Sequence, residues 1–200
     1  MSDNCYIPEV KIGNQIWIAE NLNVATFRNG DVIPEAKTEE EWKAYDDAGE
    51  AAWCYYDNDR KNGEKYGKLY NWYAVNDPRG LAPKGWHVPS DKEWNELVEY
   101  LGGEEEDTGK WINAGKRMKT SHGWEDNGNG TDEVGFSGLP GGSRTANGAF
   151  YFVGELGYWW SSTEGSASGA WNRYLGYGSG NVRRDNYRKN YGFSVRCLRD

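Results

Sequence analysis

The sequence has little cysteine and little histidine, and these shortages exclude several kinds of metal site. Its three cysteines are Cys5, Cys54 and Cys197, without a CxxC pair, so we expect no cysteine-rich zinc site and at most one disulfide. Its two histidines, His87 and His122, are too few for a histidine-clustered iron site. We therefore expect neither a metal nor a cofactor.

Long apolar runs are also missing. No stretch approaches the roughly 20 apolar residues of a membrane-spanning helix, so we expect no membrane span. The N-terminal segment MSDNCYIPEV lacks the basic and apolar regions of a signal peptide. The compartment stays open: the cell surface or the exterior if an export signal was trimmed, and otherwise the cytoplasm or a phage.

Basic charge is scarce except near the C-terminus. The chain has a net charge of −8, yet its last thirty residues carry +5, which leaves −13 on residues 1–170. Binding of nucleic acid needs a large cationic surface, so no nucleic-acid partner is expected. A local basic patch at the C-terminal end can still contact an anionic partner.

Aromatic residues compensate for a low aliphatic content. Eleven Trp and fourteen Tyr supply the bulk for a core, because aromatic side chains bury more area than Leu or Val. A chain of 200 residues is long enough for one domain with one core. We therefore predict a single domain over residues 1–200 with an aromatic-rich core.

Local patterns predict a hairpin and a short helix in the first part of the chain. The segment 11–22 alternates apolar and polar residues around a Gly-Asn turn, which is typical of a β-hairpin. Thr38 and Glu41 have the spacing of a capping box, and the segment they begin should end at Gly49.

A second capping box, Ser90 with Glu93, predicts a longer helix that ends at Gly102. Its apolar residues have the spacing that buries one helix face, and they are Trp94, Leu97, Val98 and Leu101. After about residue 103, short aromatic or β-branched segments alternate with Gly-rich turns, which predicts strands and long loops. The expected fold is α+β, with two helices early and a loop-rich antiparallel sheet late.

The segment from Trp171 to Gly192 has the composition of a recognition surface. Its 22 residues include four Asn, four Tyr, four Arg and four Gly. Tyr gives a large, stiff contact, while Asn, Ser and Gly give adaptable hydrogen bonding, as in antibody paratopes. An ordinary Gly-rich sheet whose polar residues face water explains the same composition, and composition does not separate the two interpretations.

Six blocks of the sequence resemble, in order, the Fibrobacter succinogenes major paralogous domain. They are KIGNQIWIAENLN (11–23), YGKLYNWYAVND (66–77), LAPKGWHVPSDKEWNELVEYLGG (81–103), GFSGLPGGSR (135–144), GYWWSSTE (157–164) and YGFSVRCLRD (191–200). That family is grouped with C-type-lectin-like folds. The resemblance implies paired N- and C-terminal strands and a loop-rich upper lobe that presents the ligand surface. If the terminal strands pair, Cys5 is a candidate disulfide partner for a buried Cys197, and Cys54 is the alternative.

Some C-type-lectin-like domains are the variable proteins of diversity-generating retroelements, which mutate adenine positions near the C-terminus. Adenine substitution in AAC-type codons yields residues such as Asn, Tyr, Ser, Asp, Gly and Arg. These types dominate the expected ligand-binding residues, which are Asn172, Tyr174, Tyr177, Ser179, Asn181, Arg183, Asp185, Asn186, Tyr187, Arg188 and Asn190. We expect their side chains to be exposed on one face, with Trp171, Leu175 and Val182 as scaffold.

Enzymatic interpretations have less support. The formylglycine-generating enzymes of the same superfamily need two cysteines near the C-terminal block, whereas Cys197 has no companion there. His87 precedes the capped helix and is expected to be structural. Ser161 and Ser162 lack a GxSxG context, so no nucleophile is expected. An enzyme related to the formylglycine-generating group stays a distant alternative.

Calcium-mediated sugar binding is not expected either. Trp171 and Asn172 are followed by Arg173, a cation where a carboxylate ligand would be needed. The acidic segments 57–59 and 126–132 do not match the EF-hand spacing and are expected to form turns. We expect a non-catalytic domain that binds a protein or a surface glycan through residues 158–192; the main alternative is a structural or adhesive surface module without a dedicated site.

Overall fold

The computed structural model describes residues 7–107 and 109–200 of the chain. The helices in these residues are α1 (Glu39–Ala48), α2 (Arg60–Tyr66), α3 (Trp72–Val75), α4 (Asp91–Tyr100) and α5 (Ala114–Met118). The strands are β1 (Glu9–Ile12), β2 (Gln15–Ile18), β3 (Trp53–Cys54), β4 (Leu69–Tyr70), β5 (Trp86–His87), β6 (Glu104–Asp107), β7 (Lys110–Ile112), β8 (Gly141–Arg144), β9 (Phe150–Val153), β10 (Leu156–Ser166), β11 (Gly169–Gly176), β12 (Val182–Arg188) and β13 (Leu198–Arg199).

The elements predicted from local patterns are present. Strands β1 and β2 form the hairpin. Both capping boxes form, Thr38 with Glu41 at α1 and Ser90 with Glu93 at α4. Helix α1 ends at Gly49, whose φ of 66° lies in the left-handed region that glycine adopts without strain.

Three short helices were not predicted. Helices α2, α3 and α5 have seven, four and five residues. Segments of this length do not show a helical repeat of apolar residues. Side chains stabilise two of them, because Asp59 accepts a hydrogen bond from the backbone of Lys61 and Asn71 accepts one from Ala74.

The strands form three sheets. A four-stranded sheet has the order β1-β2-β13-β5, and Leu198 of β13 lies opposite Trp17 of β2, so the N- and C-terminal strands pair as expected. A seven-stranded sheet has the order β6-β7-β12-β11-β10-β8-β9, and β3 pairs with β4. Strand pairs in the described residues are antiparallel except β8 with β10. The chain is thus an α+β protein with more sheet than helix.

The core is aromatic, as predicted. Trp17 lies 4.8 Å from Trp94 between ring centres, and Phe136 packs edge-on against Trp17, Trp94 and Trp159. The predicted face of α4 is buried against this cluster, and its residues are Trp94, Leu97, Val98 and Leu101. Helix α4 is therefore held to the sheets by the apolar residues that the sequence pattern identified.

A buried polar junction joins distant parts of the chain. Oδ1 of Asn21 accepts hydrogen bonds of 2.8 Å from Nε1 of Trp159 and from Nε of Arg196. The Arg196 guanidinium is fully buried and also donates to the carbonyls of Ile18 and Phe136. The junction links the segment after β2 to β10 and to the segment before β13.

Cys54 and Cys197 are buried free thiols. Burial raises the pKa of each thiol to about 12, so both stay protonated at neutral pH. The expectation that Cys197 is buried is confirmed, whereas the alternative disulfide with Cys54 is wrong. The other candidate partner, Cys5, lies outside the described residues.

Candidate functional site

Strands β10, β11 and β12 are neighbours in the seven-stranded sheet and carry most of the residues expected to bind a ligand. The register of β11 and β12 pairs Tyr174 with Arg183 and Trp171 with Asn186. Paired residues share a face, and successive residues of a strand alternate between faces. The expected ligand-binding residues are therefore divided between two faces.

One face, which we call the tyrosine face, consists of Tyr174, Arg183, Asp185 and Tyr187. Arg183 and Asp185 are exposed, and the two tyrosines are half-buried. The ring of Tyr158 in β10 packs against both of these tyrosines. Its centre lies 5.4 Å from the ring centre of Tyr174 and 6.0 Å from that of Tyr187. Each phenol therefore has one side fixed against the core and another open to solvent.

The phenols of this face stay protonated at neutral pH. Burial raises the pKa of Tyr174 and of Tyr187, and the charge of Asp185 raises the pKa of Tyr187 further. Burial also raises the pKa of Tyr158, which shares a side-chain hydrogen bond with Tyr187. The hydroxyls of Tyr174 and Tyr187 are consequently neutral groups that can both donate and accept hydrogen bonds.

The opposite face, which we call the arginine face, consists of Trp171, Arg173, Arg184, Asn186 and Arg188. The Asp91 carboxylate in the first turn of α4 accepts hydrogen bonds from Arg173 Nη1 at 2.8 Å and from Arg184 Nη2 at 2.9 Å. The Arg184 guanidinium also stacks 3.3 Å from the centre of the Trp171 ring. This face holds the sheet against α4.

Asp91 stays ionised between its two arginines. Burial alone would raise the pKa of Asp91, but the hydrogen bond from Arg184 and the charge of Arg173 outweigh burial and lower it. A half-buried carboxylate shared by two guanidiniums is a strong, geometrically defined contact. The arginine face is therefore mainly a structural contact.

Most of the C-terminal cations are already engaged. Arg196 is buried, and ion pairs join Arg173 and Arg184 to Asp91, Lys189 to Glu164 and Arg199 to Glu9. Among the described residues, the side chains of Arg183 and Arg188 have no hydrogen bond or ion pair. The exposed basic patch anticipated from the net charge thus shrinks to these two side chains, one on each face.

The turn between β11 and β12 carries the half-buried Tyr177, Ser179 and Asn181. The buried ammonium of Lys119 lies beneath it and donates to the carbonyls of Gly176 at 3.0 Å and Ser179 at 2.9 Å. Burial, together with repulsion from Lys116, lowers the pKa of Lys119 to about 8. Lys119 fixes the shape of the turn from the protein side.

A pocket of about 190 Å³ lies where the turn meets the tyrosine face. Tyr174 and Arg183 belong to both the tyrosine face and the pocket, and Leu156 and Tyr177 contribute apolar surface. The tyrosine face and the pocket together form one continuous candidate surface.

Two of the expected ligand-binding residues are buried, contrary to prediction. Asn172 is fully buried in the sheet, where its Nδ2 donates to the carbonyl of Asp185 at 2.8 Å. Asn190 is 9% exposed. Its side-chain amide donates to the Asp46 carboxylate, and its main-chain carbonyl accepts a hydrogen bond from the Trp42 indole. Both asparagines are enclosed by neighbouring segments of the chain, and their hydrogen bonds stabilise the fold.

The expectation of a single face is also wrong. Asn186 and Arg188 are exposed on the arginine face, on the other side of the sheet from Asp185 and Tyr187. Side-chain alternation in β12 enforces this separation. Asn181, in the turn, lines the pocket and accepts a hydrogen bond from the backbone of Asn113.

Leu156 and Lys119 lie outside the region 158–192 that was expected to bind the ligand, and Tyr158, at its first position, was not among the expected ligand-binding residues. The alternating segment LGYWW predicts a strand, and it places Leu156 and Tyr158 on the same side. No sequence signal points to Lys119, because its contacts with the turn cross more than fifty residues of chain.

Other groups that suggested chemistry have structural partners. His87 lies 2.9 Å from Glu93 through Nε2 and 2.9 Å from Asp200 through Nδ1. Ser161 is buried in β10, and its Oγ accepts a hydrogen bond from the backbone of Thr163. The described part of the chain contains no group of three His, Cys, Asp or Glu side chains placed to hold a metal ion.

Among the described residues, no helix has both the length and the apolar character needed to cross a membrane.

Comparison with known proteins identifies the family of the chain. No curated protein and no solved structure matches the chain. The Fibrobacter succinogenes major domain family matches residues 10–199, nearly the whole chain. The chain belongs to the Fibrobacter succinogenes major domain family.

Proposed function

We propose that the chain is a non-catalytic binding domain for a protein or surface-glycan ligand, and that the ligand lies on the tyrosine face and the adjoining pocket. The observation that carries the proposal is the pair of half-buried tyrosines, Tyr174 and Tyr187, anchored on Tyr158 beside the unpaired Arg183. Tyr and Arg supply most binding energy in protein interfaces when they are rigid and clustered.

A C-type-lectin-like architecture is part of the proposal. The pairing of β2 with β13 supports it, because it brings the two ends of the chain together. The long β10 and β11 strands, followed by the 177–181 turn, support it as well, since they carry the candidate surface in a sheet separate from the terminal one.

Diversification by a retroelement is the third part of the proposal. Exposed positions with the appropriate residue types, such as Arg183 and Asp185, support it. Coding sequences from related strains should then differ at these exposed positions and agree at the buried Asn172 and Asn190. A near-copy of the segment coding for residues 159–196, beside a reverse transcriptase gene, is the genomic observation to seek. Variation concentrated at buried positions would contradict this part.

A matched pair of double variants tests the binding surface. Arg183→Ala/Asp185→Ala removes two exposed side chains of the tyrosine face, and Asn186→Ala/Arg188→Ala removes two from the arginine face of the same strand. Both should leave stability within about 0.5 kcal/mol per substitution, because the side chains are exposed. Binding to ligands found on glycan and surface-protein arrays should fall only in the first variant.

Equal loss in both double variants would contradict the assignment to the tyrosine face. An array on which the wild-type domain binds nothing would instead favour the structural or adhesive alternative.

A further inference from the structure

Cationic side chains lie at and behind the pocket at the end of the tyrosine face, although the protein as a whole is acidic. Arg183 lines it, and its side chain has no ion pair or hydrogen bond among the described residues. Lys119 lies behind the turn, and its pKa is lowered partly by the nearby charge of Lys116. No carboxylate is among the residues that line the pocket. The lining therefore contains one cation and no acid, and a second cation lies behind the turn.

Lys119 also orients the peptide groups of the turn. The carbonyls of Gly176, Tyr177 and Ser179 all accept from the Lys119 ammonium, so the negative ends of these peptide groups point into the protein. Gly178 lines the pocket, and its amide has no hydrogen-bond partner among the described residues. An unpaired N–H beside a guanidinium is a favourable arrangement for an anionic oxygen.

The walls of the pocket fit an aliphatic chain. Leu156 and the rings of Tyr174 and Tyr177 give it apolar surface, and its volume of about 190 Å³ admits one side chain. The guanidinium of Arg183 is the charged group among the described lining residues, so an aliphatic stem that ends in a carboxylate suits both the walls and the charge.

We propose that this pocket receives the carboxylate of a glutamate or aspartate side chain of a protein ligand, with Arg183 and the Gly178 amide as its donors. The proposal rests on the proposed function, because it names the chemistry that one part of the candidate surface selects. The tyrosine face then contacts the residues that flank the acidic one.

Nuclear magnetic resonance titration tests the pocket with two isosteric probes, N-acetyl-glutamate methylamide and N-acetyl-glutamine methylamide. The glutamate probe should shift the Gly178 amide and the Arg183 Nε–H signals, and the glutamine probe should not. Arg183→Gln should weaken the glutamate response on the order of tenfold, as expected for loss of a charge-assisted contact. Arg188→Gln, which changes the other unpaired arginine of the strand, should leave it unchanged.

Each other outcome overturns the proposal. Equal shifts with both probes would show that charge is not recognised, and equal weakening by both variants would show a nonspecific electrostatic effect. A stronger response to glucuronate would assign the pocket to acidic sugars. The absence of any shift at Gly178 would remove the site.

The failure of this proposal is distinguishable from failure of the proposed function. A ligand whose binding depends on the tyrosine face, found without any glutamate response, would leave the function intact and remove only the pocket. A glutamate response without such a ligand would support the pocket and remove the proposed function.

Discussion

Oδ1 of Asn21 accepts a hydrogen bond of 2.8 Å from Nε of Arg196, although 175 residues separate the two in the chain. Asn21→Ala should leave the buried Arg196 and Trp159 donors without their acceptor. Loss of a buried partner of a charged group costs about 3 kcal/mol of unfolding free energy. Urea denaturation measures it, and Asn76→Ala, an exposed site without a side-chain hydrogen bond, is the control. Similar stabilities for the two variants would contradict the junction's role.

Trp94→Ala should be among the most destabilising single changes in α4. Trp94 is fully buried against Trp17, and truncation leaves a cavity that costs about 3–5 kcal/mol. The Nε1 of Trp94 has no hydrogen-bond partner in the described residues. Trp94→Phe should therefore cost clearly less than Trp94→Ala in the same denaturation experiment. A neutral Trp94→Ala would show that this helix face does not carry the core.

His87 should make stability depend on pH. Burial alone would lower the pKa of His87, but hydrogen bonds with Asp200 and Glu93 outweigh burial and raise it above 6.5. The folded state then binds the proton more tightly than the unfolded state. The stabilisation is fully present below pH 6.5 and is lost as the pH rises through the raised pKa.

Denaturation of wild type and His87→Gln across this pH range measures the effect. The difference in unfolding free energy between them should shrink as the pH rises. His122→Gln is the matched control, because His122 is exposed and its side chain has no hydrogen bond or ion pair among the described residues. A constant difference between wild type and His87→Gln would show that protonation does not contribute.

Lys119→Met should loosen the turn between β11 and β12. The change removes the ammonium that four backbone carbonyls share, from Gly128, Gly176, Tyr177 and Ser179. Amide hydrogen exchange at residues 176–181 should become faster, since local opening is easier without this contact. Lys116→Met, which removes an exposed neighbouring charge, should leave exchange there unchanged. Unchanged exchange in Lys119→Met would mean that the turn is held by its other contacts.

Sequence predicted the elements whose stabilising contacts are local. The hairpin around Gly13 and helix α4 depend on residues within a few positions of each other, such as Ser90 with Glu93. The pairing of β13 with β2 followed from family resemblance and was confirmed. The order of the seven-stranded sheet was not predicted, because distant segments decide which strands become neighbours.

The candidate site was predicted less well than the fold. Its location on residues 158–192 stays a prediction, but the expected exposure of Asn172 and Asn190 was wrong. Composition identifies residue types that suit a binding surface and does not reveal which face of a strand is covered. Arg173 lies within the segment that has the composition of a recognition surface, yet its side chain is buried and binds Asp91, 82 positions away.

The alternation of roles along β12 has a consequence for heritable change. Arg184 binds Asp91, so replacing it disturbs the contact between the sheet and α4, whereas the exposed side chain of Arg183 has no hydrogen bond or ion pair among the described residues. Codon 183 can therefore change at little cost in stability, while the adjacent codon 184 is constrained by the contact with Asp91. Two neighbouring positions of one strand thus differ in the substitutions they tolerate, so one face of the sheet can change in sequence while the support on the other face is kept.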